Sequence, residues 1–270
     1  MRRNNVPLAV VLFLLPAVTA GAESSGETLS ITYLANEGFH IHDGKNAVLI
    51  DALFRAGVSG YATIEPQSLE RLESAAPPFD TVRLVLVTHV HADHFDPRSA
   101  ARHLASNPGA TFVSSEQVAG PLRAAATAGI KEQIRVVDPE GTDAVDVAYG
   151  GITVRALKLS HGLGPMADIA NFGFIVQIAG QRLLHIGDAD VNTQSTEPLA
   201  RHAVGVDVAC VPYWWLLSRT GRAFIQDELK PRNVIAMHAE PEKAGEIADE
   251  IHRHMPEVRL FARPGEMARY

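Results

Sequence analysis

The sequence predicts an α/β chain folded as a four-layer αββα sandwich, two β-sheets face to face with helices on both outer sides. Three observations point there. Apolar runs of strand length recur throughout, antiparallel hairpins lead each half, and β/α alternation follows each set of hairpins. No linker is long or polar enough to divide the chain, so residues 23–270 are expected to form one domain.

The first half opens with the strand-like segments "LSITYLANEGF", "HIHDG" and "NAVLIDALF", with Asp43-Gly44 as the turn between the last two. Residues 55–67 are rich in Gly, Ser and Thr and read as a loop placed to cover a site. A short helix over 67–74 follows, then the buried strand "TVRLVLVTH". "FDPRSAARHLA" starts a helix with Asp96 as N-cap and Pro97 at the first helical position. In the second half, "VDVAYGGITVRALKLSH" is a hairpin turning at Gly150-Gly151, and "FGFIVQIAGQRLLHIGD" another turning at Ala179-Gly180. A helix near 197–204, the strand "VDVACVPY", a helix near 221–230, the strand "NVIAMH", a helix over 241–255 and a last strand in "VRLFARPGE" complete the reading.

The 270 residues are moderately apolar and carry a formal charge of −7, which argues against broad nucleic-acid binding. "MRRNN", the apolar "VPLAVVLFLLPAVTA" and the small residues "AGA" have the layout of a secretory signal peptide over residues 1–22. The apolar stretch is short and interrupted by Pro16, so no stable membrane span is expected after cleavage, and the mature protein is expected in the periplasm or outside the cell. Cys210 is the one cysteine; it excludes an internal disulfide and reads as a small buried hydrophobe.

"THVHADHFD" packs three histidines and two aspartates into nine positions behind a buried strand. In an irregular loop, residues two apart can point the same way, so His89 and His91 could converge on one ion while Asp93 and His94 face a second. His161 in "KLSHG", Asp188 in "LLHIGDAD" and His238 in "NVIAMH" each stand where an apolar strand surfaces into a loop. Imidazole and carboxylate together suit Zn²⁺, Mn²⁺ or Fe²⁺.

With these residues in this order, the chain resembles the metallo-β-lactamase superfamily, whose HxHxDH signature "THVHADHFD" fits. The resemblance covers essentially the mature chain and implies the αββα fold. It implies that His89, His91 and His161 hold one metal, that Asp93, His94 and His238 hold the other, and that Asp188 bridges them. Asp51 in "VLIDALF" matches an aspartate that orders the site; a turn aspartate capping the next segment is the alternative reading. "LANEGF", "NFGFIVQIAGQRLLHIGDAD" and "VPYWW" look most like the branch containing ascorbate-6-phosphate lactonase and N-acyl-phosphatidylethanolamine phospholipase D relatives. That branch often has a histidine where this chain has Asn36. An amidohydrolase barrel would place its aspartate last and lack early hairpins, and an HD phosphohydrolase needs His-Asp on helices.

The expected reaction is hydrolysis of an ester, lactone or phosphodiester by a small-molecule hydrolase with two divalent ions, Zn²⁺ first and Mn²⁺ or Fe²⁺ as alternatives. Metal binding lowers the pKa of water to about 7 and supplies hydroxide near neutral pH. Asp93 could ligate and also orient the nucleophile or take its proton. Tyr213, Trp214 and Trp215 follow a strand end and could wall a pocket, or could pack a helix onto the sheet; Tyr61 is a further aromatic candidate. His40, His42 and His185 read as structural or supporting, and His103, His202, His252 and His254 as surface residues on helices. Two other readings use the same ligands: a β-lactamase, and a non-hydrolytic metal-binding or iron redox protein.

Overall fold

The computed structural model describes residues 28–270; the expected signal peptide, residues 1–22, lies outside them. β1 (Ser30–Ala35), β2 (Gly38–His42) and β3 (Ala47–Ile50) form an antiparallel meander. The helix α1 (Pro66–Glu73) then crosses over to β4 (Val82–Leu86), parallel to β3, and α2 (Pro97–Ser106) to β5 (Thr111–Ser114). After α3 (Glu116–Ala125), the strand β6 (Ile134–Val136) closes this half.

The second half repeats the plan. β7 (Ala144–Tyr149), β8 (Ile152–Ser160), β9 (Ala170–Ile178) and β10 (Gln181–His185) are antiparallel, and α4 (Thr193–His202) leads to the parallel strand β11 (Val208–Pro212). Next come α5 (Tyr213–Leu217), α6 (Arg219–Ala223), β12 (Asn233–Met237), α7 (Ala244–His252) and β13 (Arg259–Leu260). β14 (Met267–Arg269) returns to pair antiparallel with β1. The result is two seven-stranded mixed sheets, ordered β14-β1-β2-β3-β4-β5-β6 and β13-β12-β11-β10-β9-β8-β7.

Alternation of side chains along the strands explains the layers. Ile31, Tyr33, Phe39, Ile41, Val48 and Ile50 point inward, against Val154, Phe172, Phe174, Val176 and Ile235 of the other sheet. The opposite faces are equally apolar: Leu49, Val85 and Phe112 pack on α1–α3, and Leu184, Ala209 and Ala236 pack on the helices of the second half. Cys210 is buried between the sheets, as a small hydrophobe should be. Among the described residues no helix is long and apolar enough to cross a membrane.

Several expectations need correction. "LSITYLANEGF" is two strands, because Asn36 takes a left-handed φ of +50° and folds the chain back at Glu37. "VRLFARPGE" holds only β13, and the true last strand is β14, in the other sheet. The helix near 221–230 is α6 followed by a π-helical turn, Phe224–Leu229. His103 is fully buried, its ring donating from Nδ1 to Leu72 O at 2.5 Å, which ties α2 to α1. His202 is half-buried, with Nε2 donating to Thr142 O at 2.9 Å, while His252 and His254 are exposed as expected.

Candidate metal centre

The site lies where strands from both sheets run out into loops. Asp51 follows β3, Thr88 and His89 follow β4, His161 follows β8, Asp188 follows β10 and His238 follows β12. Phe172 N–H donates to Thr88 O at 2.9 Å and fastens the two sheets together beside it.

Asp51 is the fixed point. It is fully buried with φ +47°, and both its oxygens are used. The Thr88 N–H donates to Oδ1 at 2.8 Å, the Thr88 hydroxyl to Oδ2 at 2.6 Å, and His94 Nδ1 lies 2.9 Å from Oδ2. A carboxylate only accepts, so Nδ1 of His94 carries a proton and Nε2 is the ring atom left to face a metal. The same logic reaches His89. Thr88 spends its one proton on Asp51, so at 3.0 Å it must accept from His89 Nδ1, leaving His89 Nε2 free to ligate. Asp51 therefore contacts the ring of His94 directly and that of His89 through Thr88.

His89 Nε2 and His91 Nδ1 converge to 3.0 Å, and the rings of His89, His91 and His161 stand 4.7 Å apart pairwise. Two donor groups emerge, each with atoms within 4.8 Å of one another: His89, His91, His161 with Asp188, and Asp93 with His94 and His238. Asp188 Oδ1 is 3.3 Å from the Nε2 atoms of both His94 and His238. Its Oδ2 faces the other group, 3.5 Å from His161 Nε2 and 3.7 Å from His89 Nε2. Gly187 makes this approach possible, since a Cβ there would lie 2.4 Å from Asn171 Oδ1 and 2.8 Å from Thr88 Cβ.

The donors fit divalent ions. Both ring nitrogens of His161 and His238, and Oδ1 of Asp188, are buried without a hydrogen-bond partner. Buried polar atoms are rarely left so, and a cluster of them pointing inward is what a cation would satisfy. The electrostatics agree. Burial pushes the Asp188 carboxyl up, but His94 and His238 beside it outweigh that and hold the group well below the usual carboxylate range. His94 goes the other way: against burial, Asp188 and Asp51 raise it well above the usual imidazole range, so a metal at its Nε2 displaces a proton. Burial and the charge of His94 hold His89 well below the usual imidazole range, in the neutral form a metal needs. Asn36 braces the cluster, donating from Nδ2 to Asp93 Oδ2 at 3.1 Å and accepting from His238 N–H at 3.2 Å.

Of the aromatic candidates, Trp214 stands edge-on to His238 at 5.2 Å with Nε1 donating to Ala189 O, and Tyr213 packs on Trp214. Trp215 is buried in the core behind them, its Nε1 also on Ala189 O, and walls no pocket. Tyr61 brings the 55–67 loop to 4.6 Å from the His238 ring. Burial and the nearby Tyr213 push its hydroxyl up to about 12, so it stays protonated. A cavity of about 480 Å³ opens beside His161, lined by Leu159, Leu163, Ile169, Glu197 and Lys158. His185 is structural, donating from Nε2 to Glu37 O at 3.0 Å; His40 and His42 stack on each other in the first sheet.

Two folded sheets whose loops converge on paired His and Asp donors define the class: a metal-dependent hydrolase of the αββα type. The family model described as "Beta-lactamase superfamily domain" matches residues 46–258, well over half the chain. A metal-dependent hydrolase of Symbiobacterium thermophilum is 28% identical over 225 residues, covering 78% of this chain and 84% of that protein. A possible metal-dependent hydrolase from Veillonella parvula superposes with a TM-score of 0.62 at 17% identity, covering 88% of this chain and 98% of that one. The metallo hydrolase Igni18 of Ignicoccus hospitalis gives 0.61 at 17% identity over 90% of this chain and 98% of its own. The chain belongs to the metallo-β-lactamase superfamily.

Sequence reasoning missed Thr88, the relay between Asp51 and His89, and Glu37, a fully buried acid facing the same donors.

Proposed function

We propose that this protein hydrolyses an ester, lactone or phosphodiester bond at a pair of divalent ions. The observation that carries the reading is Asp188, whose two oxygens face two separate imidazole groups, at 3.3 Å on one side and 3.5–3.7 Å on the other. His89, His91 and His161 would hold one ion, Asp93, His94 and His238 the other, with Asp188 shared. Bound there, the ions supply an activated water and polarise the substrate's carbonyl or phosphoryl oxygen.

The protein's own groups do the rest. Asp93, braced by Asn36, is placed to take a proton from the attacking water while still ligating. Tyr61, Tyr213 and Trp214 form an aromatic wall beside His238, and the cavity beside His161 offers apolar side chains for an acyl or alkyl group. "NFGFIVQIAGQRLLHIGDAD" and "VPYWW" support the lactonase-like branch and keep lactones among the substrate classes, while Asn36, where that branch often has histidine, keeps esters and phosphodiesters beside them. Export rests on the pattern of residues 1–22 and is tested by fractionating cells that express the full chain.

The deciding experiment is a screen of phosphodiesters, lactones, acyl esters and β-lactams with Zn²⁺, Mn²⁺ and Fe²⁺. Loaded protein should carry about two ions per chain and lose hydrolysis on chelation. Asp188→Ala or His94→Ala that leaves both metal content and turnover intact would sink the reading. Turnover of β-lactams alone would make it a β-lactamase.

A further inference from the structure

Glu37 has no place among the seven donors discussed above, yet it is more buried than most of them. Its exposure is 0%, and neither carboxylate oxygen has a hydrogen-bond partner among the described residues. A buried carboxylate without a partner is a heavy liability unless something else satisfies it.

Its position indicates what that something is. A carboxylate oxygen of Glu37 lies within 4.8 Å of donor atoms of Asp188 and His238, and within 4.8 Å of Asp51 and His94. Oε2 is 3.9 Å from His94 Nδ1, the ring edge turned to Asp51, so the carboxylate approaches the centre from the side of Asp188 and His238. The backbone carrying it is pinned from three directions. His185 Nε2 donates to Glu37 O at 3.0 Å, His238 N–H donates to Asn36 O at 3.2 Å, and Gly38 lets Asp51 O come close. A Cβ at Gly38 would sit 2.8 Å from that oxygen, so the turn can hold this position only with glycine. Glu37 is thus a rigidly placed, unsatisfied carboxylate beside Asp188 and His238.

We propose that Glu37 is a further metal ligand, adding a carboxylate to the ion held by Asp93, His94, His238 and Asp188. The inference rests on the two-metal reading and deepens it. The two positions then differ in chemistry. His89, His91 and His161 offer three nitrogens and share Asp188, a set that suits tetrahedral Zn²⁺. Glu37, Asp93 and Asp188 offer three carboxylates beside two imidazoles, an oxygen-rich, higher-coordinate set that suits Mn²⁺ or Fe²⁺. The centre is therefore selective by position and takes up a mixed pair when both metals are present.

The test compares the full chain with its Glu37→Gln and Glu37→Asp variants, stripped of metal and reloaded with Zn²⁺ alone, Mn²⁺ alone, or both. Metal content is read by mass spectrometry, affinity by calorimetry and stability by melting. Wild type should hold two ions, with Mn²⁺ confined to one position. In Glu37→Gln, Mn²⁺ affinity should fall about tenfold or more while the histidine-rich position keeps its Zn²⁺. Glu37→Asp should lie between the two. The metal-free Glu37→Gln protein should melt no lower than metal-free wild type, because the lost carboxylate had no protein partner. Its gain in melting temperature on adding Mn²⁺ should shrink. A variant that binds two ions with wild-type affinity and preference overturns the role of Glu37 alone. So does one whose metal-free form is already destabilised, which would make Glu37 a structural residue. A wild-type chain that takes up one ion overturns the two-metal reading and Glu37 with it.

Discussion

Asp51 touches no reacting atom, yet it fixes which nitrogen of two histidines faces the centre. Its substitution by asparagine keeps the shape and offers an amide where Thr88 and His94 need an acceptor. Metal affinity should drop about 10- to 100-fold, with little change in melting temperature of the metal-free protein, as calorimetry and melting curves would show. Thr88→Val should act in the same direction but mainly through His89, because only that ring depends on the hydroxyl. His161, Asp188 and His238 stood out in the sequence because each is a polar residue where an apolar strand surfaces into a loop, and His89, His91, Asp93 and His94 because they crowd one short stretch behind a buried strand. Glu37 and Thr88 could not, since nothing local separates a buried acid in a turn, or a threonine ending a strand, from ordinary examples of either.

Among the elements, the short turn between β1 and β2 and the start of α2 carry the heaviest constraints. Gly38→Ala should destabilise the protein by about 1–3 kcal/mol and disturb metal uptake together, because the added methyl group meets backbone and no side chain that could yield. Asp96 accepts from Ser99 N–H at 2.7 Å and caps α2, directly after the histidine cluster. Asp96→Ala should lower stability by about 1 kcal/mol, visible as a reduced melting temperature with metal content unchanged. That cap, and the proline behind it, were legible as local chemistry, as were the hairpin turns at Gly150-Gly151 and Ala179-Gly180. Less legible were features decided at long range. "VRLFARPGE" reads as the last strand, whereas tertiary pairing uses only Arg259–Leu260 of it and places the last strand, Met267–Arg269, beyond it in the other sheet. The helix positions of His103 gave no hint that its ring would be enclosed between α1 and α2.

At the level of the whole molecule, the donors come from both sheets, so metal binding and folding are linked. Metal at about 100 times its Kd should add about 2.7 kcal/mol of stability per site, and chelation should remove it, as melting curves at graded metal concentration would reveal. Acid should act through a different group. Burial, with His42 beside it, pushes the His40 ring down to about 4, while an unfolded histidine takes up a proton near 6.5. Between those values the unfolded chain binds more protons, so stability is lost as pH falls from about 6.5 towards 4. In metal-free protein, His40→Phe should flatten that part of the pH–melting profile relative to wild type; an unchanged slope would show that other histidines carry it.

The return of β14 to β1 also ties distant stretches of sequence into one seam. β1 leads into the turn that braces Asp93 and His238, and Met267–Arg269 pair along its outer edge. A segment from the far side of the sequence thus buttresses the turn that steadies the donors, like a hoop closed around the first stave of a barrel.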